Sequence, residues 1–396
     1  MLESSIHETG NPFLSKVSSR LLRQFLLRRA PPKTEDFLVR SSIEKGKHIV
    51  EIWFRTRGCH HFLRGGCTMC NYGLGDTVQP EQMVNFVDRA FNSVQLNENT
   101  NLIISPSGSM LDDWEVPESA REGIFKLANK KTWTSLSFET RAQFVTDRSI
   151  QQIRHLLGQR LIKADVAVEC ADKWILKYAI NKNLSLTDFV QAIDVLKNNN
   201  FKATTNVLLG APFVTEREMI QKAEDSINWV FQNGVDECCL FPVHVKHGTL
   251  VHWLWEREYY TPPSLWSLVE VLKNIDPSNY SRLSIAWHKP YYMESESVEV
   301  VYTLAPSTCP NCYTQVIKLL DEYLNGRKVA TIQRLNDIEC DCKKVWIEEL
   351  NKKTEFSLLD RVATIYELMG KEILGEDWWI ENGKEILNDL RNSYKG

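Results

Sequence analysis

The sequence predicts an α/β protein: a partial (β/α)6 barrel followed by a small α-rich domain that contains cysteines. Three observations predict it. Short β-rich runs alternate with amphipathic helical runs from about residue 47 to residue 290. A cysteine-rich loop opens just after the first of those β-rich runs ends. After Pro290 the pattern becomes mostly helical, around a second cysteine group.

The candidate strands are 49–54, 101–105, 134–138, 164–168, 203–209 and 237–243, with a seventh short run at 283–287 that closes or extends the sheet. Between them, 81–94, 118–129, 186–198 and 216–232 carry apolar residues at helical spacing. Strands separated by helices of this length form βαβ units and a parallel sheet. Right-handed crossovers curl such units into an open or closed barrel, and ligands then sit at the carboxyl ends of the strands. Beyond 290, a strand at 298–303 precedes helical patterns at 315–324, 343–350, 358–368 and 384–390. The expected division is an N-terminal helical extension (1–46), the barrel (47–290) and a C-terminal domain with its own cysteine site (291–396).

Composition excludes some classes. No stretch reaches the run of roughly 18 apolar residues that a membrane helix needs, and the first ten residues lack a signal-peptide layout, so a cytoplasmic location is expected. A net charge of −4 and a pI near 6.2 exclude a generally basic surface, so RNA binding would need a local patch. One basic stretch exists at 16–33, where Arg20, Arg23, Arg28 and Arg29 surround Leu21, Leu22, Phe25 and Leu26. It reads as a helix packed on the main domain before it reads as a nucleic-acid arm.

Ten cysteines without an export signal favour metal or redox chemistry over disulfides. Cys59, Cys67 and Cys70 have the spacing C-x7-C-x2-C, with Gly58, Gly65 and Gly66 between and beside them. Soft thiolates select zinc, copper(I) or iron–sulfur clusters. Zinc would want a fourth ligand, which His60 or His61 could supply; three thiolates on one loop also suit a four-iron cluster with one iron left open. In the second group, Cys309-Pro-Asn-Cys312 and Cys340-Asp-Cys342 form two close pairs separated by 27 residues. Four thiolates point to tetrahedral zinc, with a second iron–sulfur cluster as the alternative. Of the rest, Cys170 reads as a core thiol. Cys238 and Cys239 lie in the last barrel strand, so one faces inward and is a candidate catalytic donor of a hydrogen atom or proton. His244, Lys246 and His247 follow that strand. The aromatic stretch of Trp253, Trp255, Tyr259, Tyr260 and Trp266 either stacks a ring or packs at an interface.

The run Arg55-Thr56-Arg57-Gly58-Cys59, continued by Gly66-Cys67-Thr68-Met69-Cys70, resembles the cluster loop of the radical S-adenosylmethionine (SAM) superfamily. It is most similar to the branch that includes Elongator catalytic-subunit-like proteins, and within it to the radical SAM subunit of archaeosine synthase. Further motifs fall in the same order at successive strand ends: Pro106-Ser107-Gly108-Ser109-Met110-Leu111-Asp112 with Glu115-Val116-Pro117, Phe138-Glu139-Thr140-Arg141, Ala167-Val168-Glu169, and Leu209-Gly210-Ala211-Pro212-Phe213. The runs Pro262–Ser267 and Cys340–Lys343 look like that family too. Asn71 and Met110 depart from the glycine and phenylalanine usual there.

The resemblance implies that Cys59, Cys67 and Cys70 hold a 4Fe-4S cluster, which binds SAM and cleaves it reductively to a 5′-deoxyadenosyl radical. It implies that Ser107, Gly108 and Ser109 meet the SAM amino group, Glu139 its ribose or amino end, Arg141 its carboxylate, and Glu169 its ribose or the substrate. It also implies an electron donor such as ferredoxin or flavodoxin, a partner subunit, and lyase-type chemistry on a lysine-modified deazaguanine in tRNA. Two alternatives stay open: a radical SAM enzyme acting on a peptide or small molecule, and a non-catalytic metal-binding module.

Overall fold

The computed structural model describes residues 10–28, 35–71, 73, 77–106, 108–290 and 302–394. Helix α1 (Pro12–Arg28) precedes a hairpin of β1 (Phe37–Glu44) and β2 (Lys47–Phe54). Helices and strands then alternate: α2 (Pro80–Asn92), β3 (Thr100–Ser105), α3 (Glu118–Asn129), β4 (Ser135–Thr140), α4 (Asp147–Leu157) and β5 (Leu161–Val166). A short α5 (Lys173–Ile175) runs on as a π turn over Leu176–Ile180. There follow α6 (Leu186–Asn198), β6 (Lys202–Leu209), α7 (Glu216–Gln232), β7 (Glu237–Pro242), β8 (Val245–Lys246), α8 (Leu250–Glu256), α9 (Leu265–Asn274) and β9 (Leu283–Ile285). The C-terminal part holds β10 (Tyr302–Leu304), α10 (Pro310–Gly326), α11 (Val329–Asn336), α12 (Asp341–Asn351), α13 (Leu358–Met369) and α14 (Glu376–Ser393). Most of the strand expected at 298–303 lies outside the described residues.

One eight-stranded sheet runs in the order β1-β2-β3-β4-β5-β6-β7-β9. All pairs are parallel except β1 with β2. Each new strand therefore adds on the same side, the arrangement of an open, partial barrel. Strand β1 falls inside the stretch expected to be a helical extension. Its turn is Lys45-Gly46, both with positive φ (50° and 71°), the two-residue geometry that matches strand twist. Helices start where their caps allow. Thr146 and Thr215 each accept from the backbone N–H three residues on, at the heads of α4 and α7, satisfying a donor the helix cannot.

Side chains alternate across the sheet. Phe138 of β4 meets Phe125 of α3 edge-on at 5.7 Å, so Leu136 and Phe138 face the helices, and Ser137 and Glu139 face the concave side. By the same alternation Glu51, Ser105, Asp165, Asn206 and Cys239 face the concavity, while Cys238 shares the buried helix face with Leu240. The interior of the barrel is thus polar beneath an apolar shell.

The sheet ends at β1 and β9, and α10 spans the seam between them. Tyr323 Oη donates to Leu283 O of β9 at 3.1 Å, and Asn325 Oδ1 accepts from Lys45 N of the hairpin at 3.2 Å. The other C-terminal helices pack on the barrel as well. Tyr366 of α13 donates to Tyr178 O at 2.7 Å, and Trp346 of α12 donates to Ser267 Oγ of α9 at 3.0 Å. One continuous apolar core joins the two parts.

Candidate active site at the carboxyl ends of the strands

The cysteine loop leaves the end of β2 and is held from three sides. The amide of Thr68 donates to Ile180 O at 2.9 Å, and its hydroxyl to Ala179 O at 2.9 Å. Asn181, fully buried and left-handed at φ 56°, donates to Gly66 O at 2.8 Å and accepts from Asn11 N ahead of α1 at 2.7 Å. Asparagine tolerates that backbone region better than most residues. Gly65 (φ 110°) lies where a Cβ would come within 2.3 Å of Ser15 in α1, so only glycine lets loop and helix touch.

The loop's histidines are otherwise engaged. His61 Nε2 bonds Asn181 O at 2.7 Å, and burial lowers its pKa to about 4, so it stays neutral. His60 stacks on Trp114 at 4.6 Å and points Nδ1 toward Asp112, 3.5 Å away. Burial pushes Cys59 up to about 11, with Glu115 and Cys70 adding to the shift and Arg141 opposing it. Burial also raises Cys67, with Lys182 opposing and Cys70, Glu169 and Cys59 adding. Among the described residues, the three sulfurs do not form a cage tight enough for a single ion.

Behind the loop, Glu115 is wholly buried and gathers three donors. It accepts from His60 N at 2.8 Å, from Ser109 N, and from Arg141 Nη2 at 2.7 Å. Arg141 also bonds Asp112. Gly108 lies against this carboxylate, where a Cβ would come within 2.1 Å of Glu115 Oε2 and 3.6 Å of the Cys59 Cα. Ser109 turns all its polar groups inward: Oγ meets Thr140 Oγ1 at 2.9 Å and accepts from Arg141 N at 3.2 Å. The structure therefore gives Ser109 and Arg141 partners within the protein, where the resemblance implied partners on SAM. Arg141 keeps one buried nitrogen, Nε, without a partner among the described residues. Ser107 lies outside the described residues.

Deeper in the concavity, Glu139 accepts from Ser105 Oγ. Asp165 takes Asn206 Nδ2 at 3.2 Å. Glu169, at φ 66°, pairs Oε1 with Lys182 Nζ at 3.0 Å, both side chains about nine-tenths buried. Its Oε2 is buried and has no partner among the described residues. Burial raises Asp165 to about 8, with Glu139 and Glu169 adding to it; burial likewise raises Glu139, against its bond from Ser105 and the charge of Lys182. Lys246, beside Trp287 at 4.3 Å, is lowered to about 8 by burial.

Cys239 faces this concavity near Ser284. Cys238 does not: it is 1 % exposed, on the helix side of the sheet in the apolar core. Cys170 is also buried, as expected. Tyr260, Trp253 and Trp266 are buried, and Tyr260 Oη donates to Gly210 O at 2.8 Å, so these three pack, whereas Trp255 is half-buried and Tyr259 exposed. In α1, Leu14, Val17 and Leu21 are buried, so the basic stretch is a packed helix as far as residue 28. Sequence reasoning missed the roles of Glu115, Asp165, Asn181 and Lys182. Of these only Glu115 stood in a quoted motif; the others are scattered polar residues that the fold brings together.

The second cysteine group converges. Its four sulfurs lie within 4.8 Å of one another, arranged to hold a metal ion.

No family model matches the chain. It is 27% identical to archaeosine synthase subunit beta of Methanosarcina acetivorans over 301 residues, 74% of this chain and 82% of that protein. It is 29% identical to the Thermococcus kodakarensis protein of the same name over 305 residues, 74% of this chain and 88% of that one. Among solved structures it is similar to Elp3 of Methanocaldococcus infernus, with 16% identity and a TM-score of 0.44 over 72% of this chain and 64% of that one. An open parallel barrel with a three-cysteine loop after its first parallel strand defines the class of protein. With the archaeosine synthase relatives, it supports a radical SAM assignment.

Proposed function

We propose that the chain is a radical SAM enzyme in which Cys59, Cys67 and Cys70 hold a 4Fe-4S cluster at the mouth of the barrel. The observation that carries this is the loop itself. Three thiols stand on one braced segment at a strand end, too far apart to enclose a single ion, with both neighbouring histidines otherwise engaged. The cradle fits the group: Glu169 Oε2 and Arg141 Nε are buried polar atoms without partners among the described residues. When bound, the cluster and SAM supply reductive carbon–sulfur cleavage to a 5′-deoxyadenosyl radical.

The chain's own residues position and shield that chemistry. Glu115 fixes the loop to Arg141 and Ser109. Arg141 Nε and the Gly108 backbone would hold the amino-acid end of SAM, and Glu169 Oε2 its ribose or the substrate. Lys182, paired to Glu169 and close to Cys67, adds positive charge beside an anionic cluster. Cys239 is the concave-face thiol placed to move a hydrogen atom or proton, and Glu139 would meet the ribose or amino end of SAM. By its similarity to archaeosine synthase subunit beta, the enzyme modifies tRNA as a lyase, with a partner subunit and a reductant of the ferredoxin or flavodoxin kind.

Anaerobically reconstituted protein given dithionite and SAM is expected to release 5′-deoxyadenosine, and Cys67→Ala to release none. Equal release from both would overturn the cluster assignment. Turnover that needs tRNA, with binding that weakens steeply as salt rises, supports the tRNA reading. Indifference to RNA would leave a peptide or small molecule as the substrate.

A further inference from the structure

We propose that Cys309, Cys312, Cys340 and Cys342 bind one zinc ion, and that this ion holds α10 across the open seam of the barrel. The proposal stands apart from the radical SAM reading and does not depend on it.

The spacing of the sulfurs selects a single ion. Cys309 and Cys312 are 3.8 Å apart, Cys309 and Cys340 3.4 Å, Cys312 and Cys342 3.5 Å, and Cys340 and Cys342 3.5 Å. A tetrahedral zinc with bonds of about 2.3 Å holds its thiolates about 3.8 Å from one another. An iron–sulfur cluster, with thiolates on separate irons, needs a wider cage. Four thiolates also leave no open position, the mark of a structural site.

The surroundings suit a negatively charged centre. Cys309 caps the N-terminus of α10, and Cys340 that of α12, so two helix dipoles point their positive ends at it. Trp266 Nε1 donates to Cys342 Sγ at 3.3 Å. This indole belongs to α9, so the site is fastened to the barrel wall. Beside it, Leu265 N donates to Ser307 O at 3.1 Å.

The consequence lies at the other end of α10. Its 17 residues span about 25 Å. The C-terminal half carries the seam contacts: Asp321 with His288 at 2.8 Å and Lys289 at 3.0 Å, Tyr323 with Leu283, and Asn325 with Lys45. Each of these polar contacts is worth about 1 kcal/mol, beside the buried apolar face of Val316, Leu320 and Tyr323. The ion adds to that packing by clamping the start of α10 to α12 and α9, which fixes its aim along the seam.

The test uses the full chain with Cys59, Cys67 and Cys70 all changed to Ala, which removes the other thiol site. Purified without added metal, it is expected to contain about one zinc per chain, colourless and lost in Cys309→Ser/Cys340→Ser. Hydrogen exchange in 37–44 and 283–285 should then quicken about tenfold or more, while 100–105 in mid-sheet stays protected. Where the double variant does not fold, zinc is stripped from the folded parent by a chelator and the same amides are followed. Iron at the site, no metal, or equal change at seam and mid-sheet would each overturn the proposal.

Discussion

Arg141 Nη2 lies 2.7 Å from Glu115 Oε1, and the same buried carboxylate takes the amides of His60 and Ser109. One side chain thus ties the cysteine loop after β2 to the loop after β3 and to the end of β4. Removing it leaves two backbone donors without their acceptor and the guanidinium, 15% exposed, with Asp112 alone. Each unsatisfied buried donor costs about 1–3 kcal/mol. Glu115→Ala is therefore expected to unfold at markedly lower denaturant and to retain little iron after reconstitution. Iron content and midpoint equal to wild type would refute the tie.

The carboxyls of the concavity predict a pH dependence. Asp165 titrates near 8 in the folded chain against 3.8 unfolded, because burial, Glu139 and Glu169 disfavour its charge more than Lys182 and Asn206 restore it. Between those values the folded state holds a proton that the unfolded state has lost, so stability falls as pH rises through that window. The slope from one such group approaches about 1.4 kcal/mol per pH unit. In Asp165→Asn that part of the slope disappears. Urea midpoints across the window check it, and an unchanged slope counts against a protonated Asp165.

Glu169 and Lys182 form the other buried pair, at 3.0 Å. Lys182→Met strands a buried carboxylate and should destabilise by about 3–5 kcal/mol, whereas Lys182→Met combined with Glu169→Gln should recover most of it. Glu169→Gln alone keeps shape and loses charge. Since Oε2 lacks a partner among the described residues, that variant should weaken SAM binding in calorimetry about tenfold, the loss of one charge-assisted hydrogen bond. Unaltered SAM affinity would place the ligand of Oε2 elsewhere.

The barrel was legible because its signal is local. Alternation of β-rich and amphipathic runs marked the parallel strands β2 to β7 and β9, and 118–129, 186–198 and 216–232 match α3, α6 and α7 to the residue. β1 was not legible: Phe37–Glu44 is half exposed and lacks clean alternation, and only its Lys45-Gly46 turn advertised a hairpin. The cysteines could be grouped from spacing alone, since a short loop or turn brings them together. Partners such as Asn181 with Gly66, or Glu169 with Lys182, are set by how strand ends converge in space. Sequence periodicity carries no record of that convergence. The motif residues Ser109 and Arg141 show the complementary limit, because their order in the chain said nothing of which neighbours would claim their hydrogen bonds.

The adjacent thiols of β7 make opposite predictions. Cys238 is sealed in the apolar core at 1 % exposure, so Cys238→Ser places a hydroxyl where no water reaches and should cost about 1–3 kcal/mol. Cys239, one residue on, points into the concavity beside Ser284 and Asp165. There a hydroxyl finds polar neighbours, and Cys239→Ser should leave stability within about 0.5 kcal/mol of wild type. If the thiol gives a hydrogen atom or proton during turnover, the same change lowers product formation while 5′-deoxyadenosine release persists, so cleavage of SAM becomes uncoupled from product. Denaturation midpoints and the ratio of the two products separate the cases. A Cys238→Ser variant that uncouples while Cys239→Ser does not would reverse the assignment of faces.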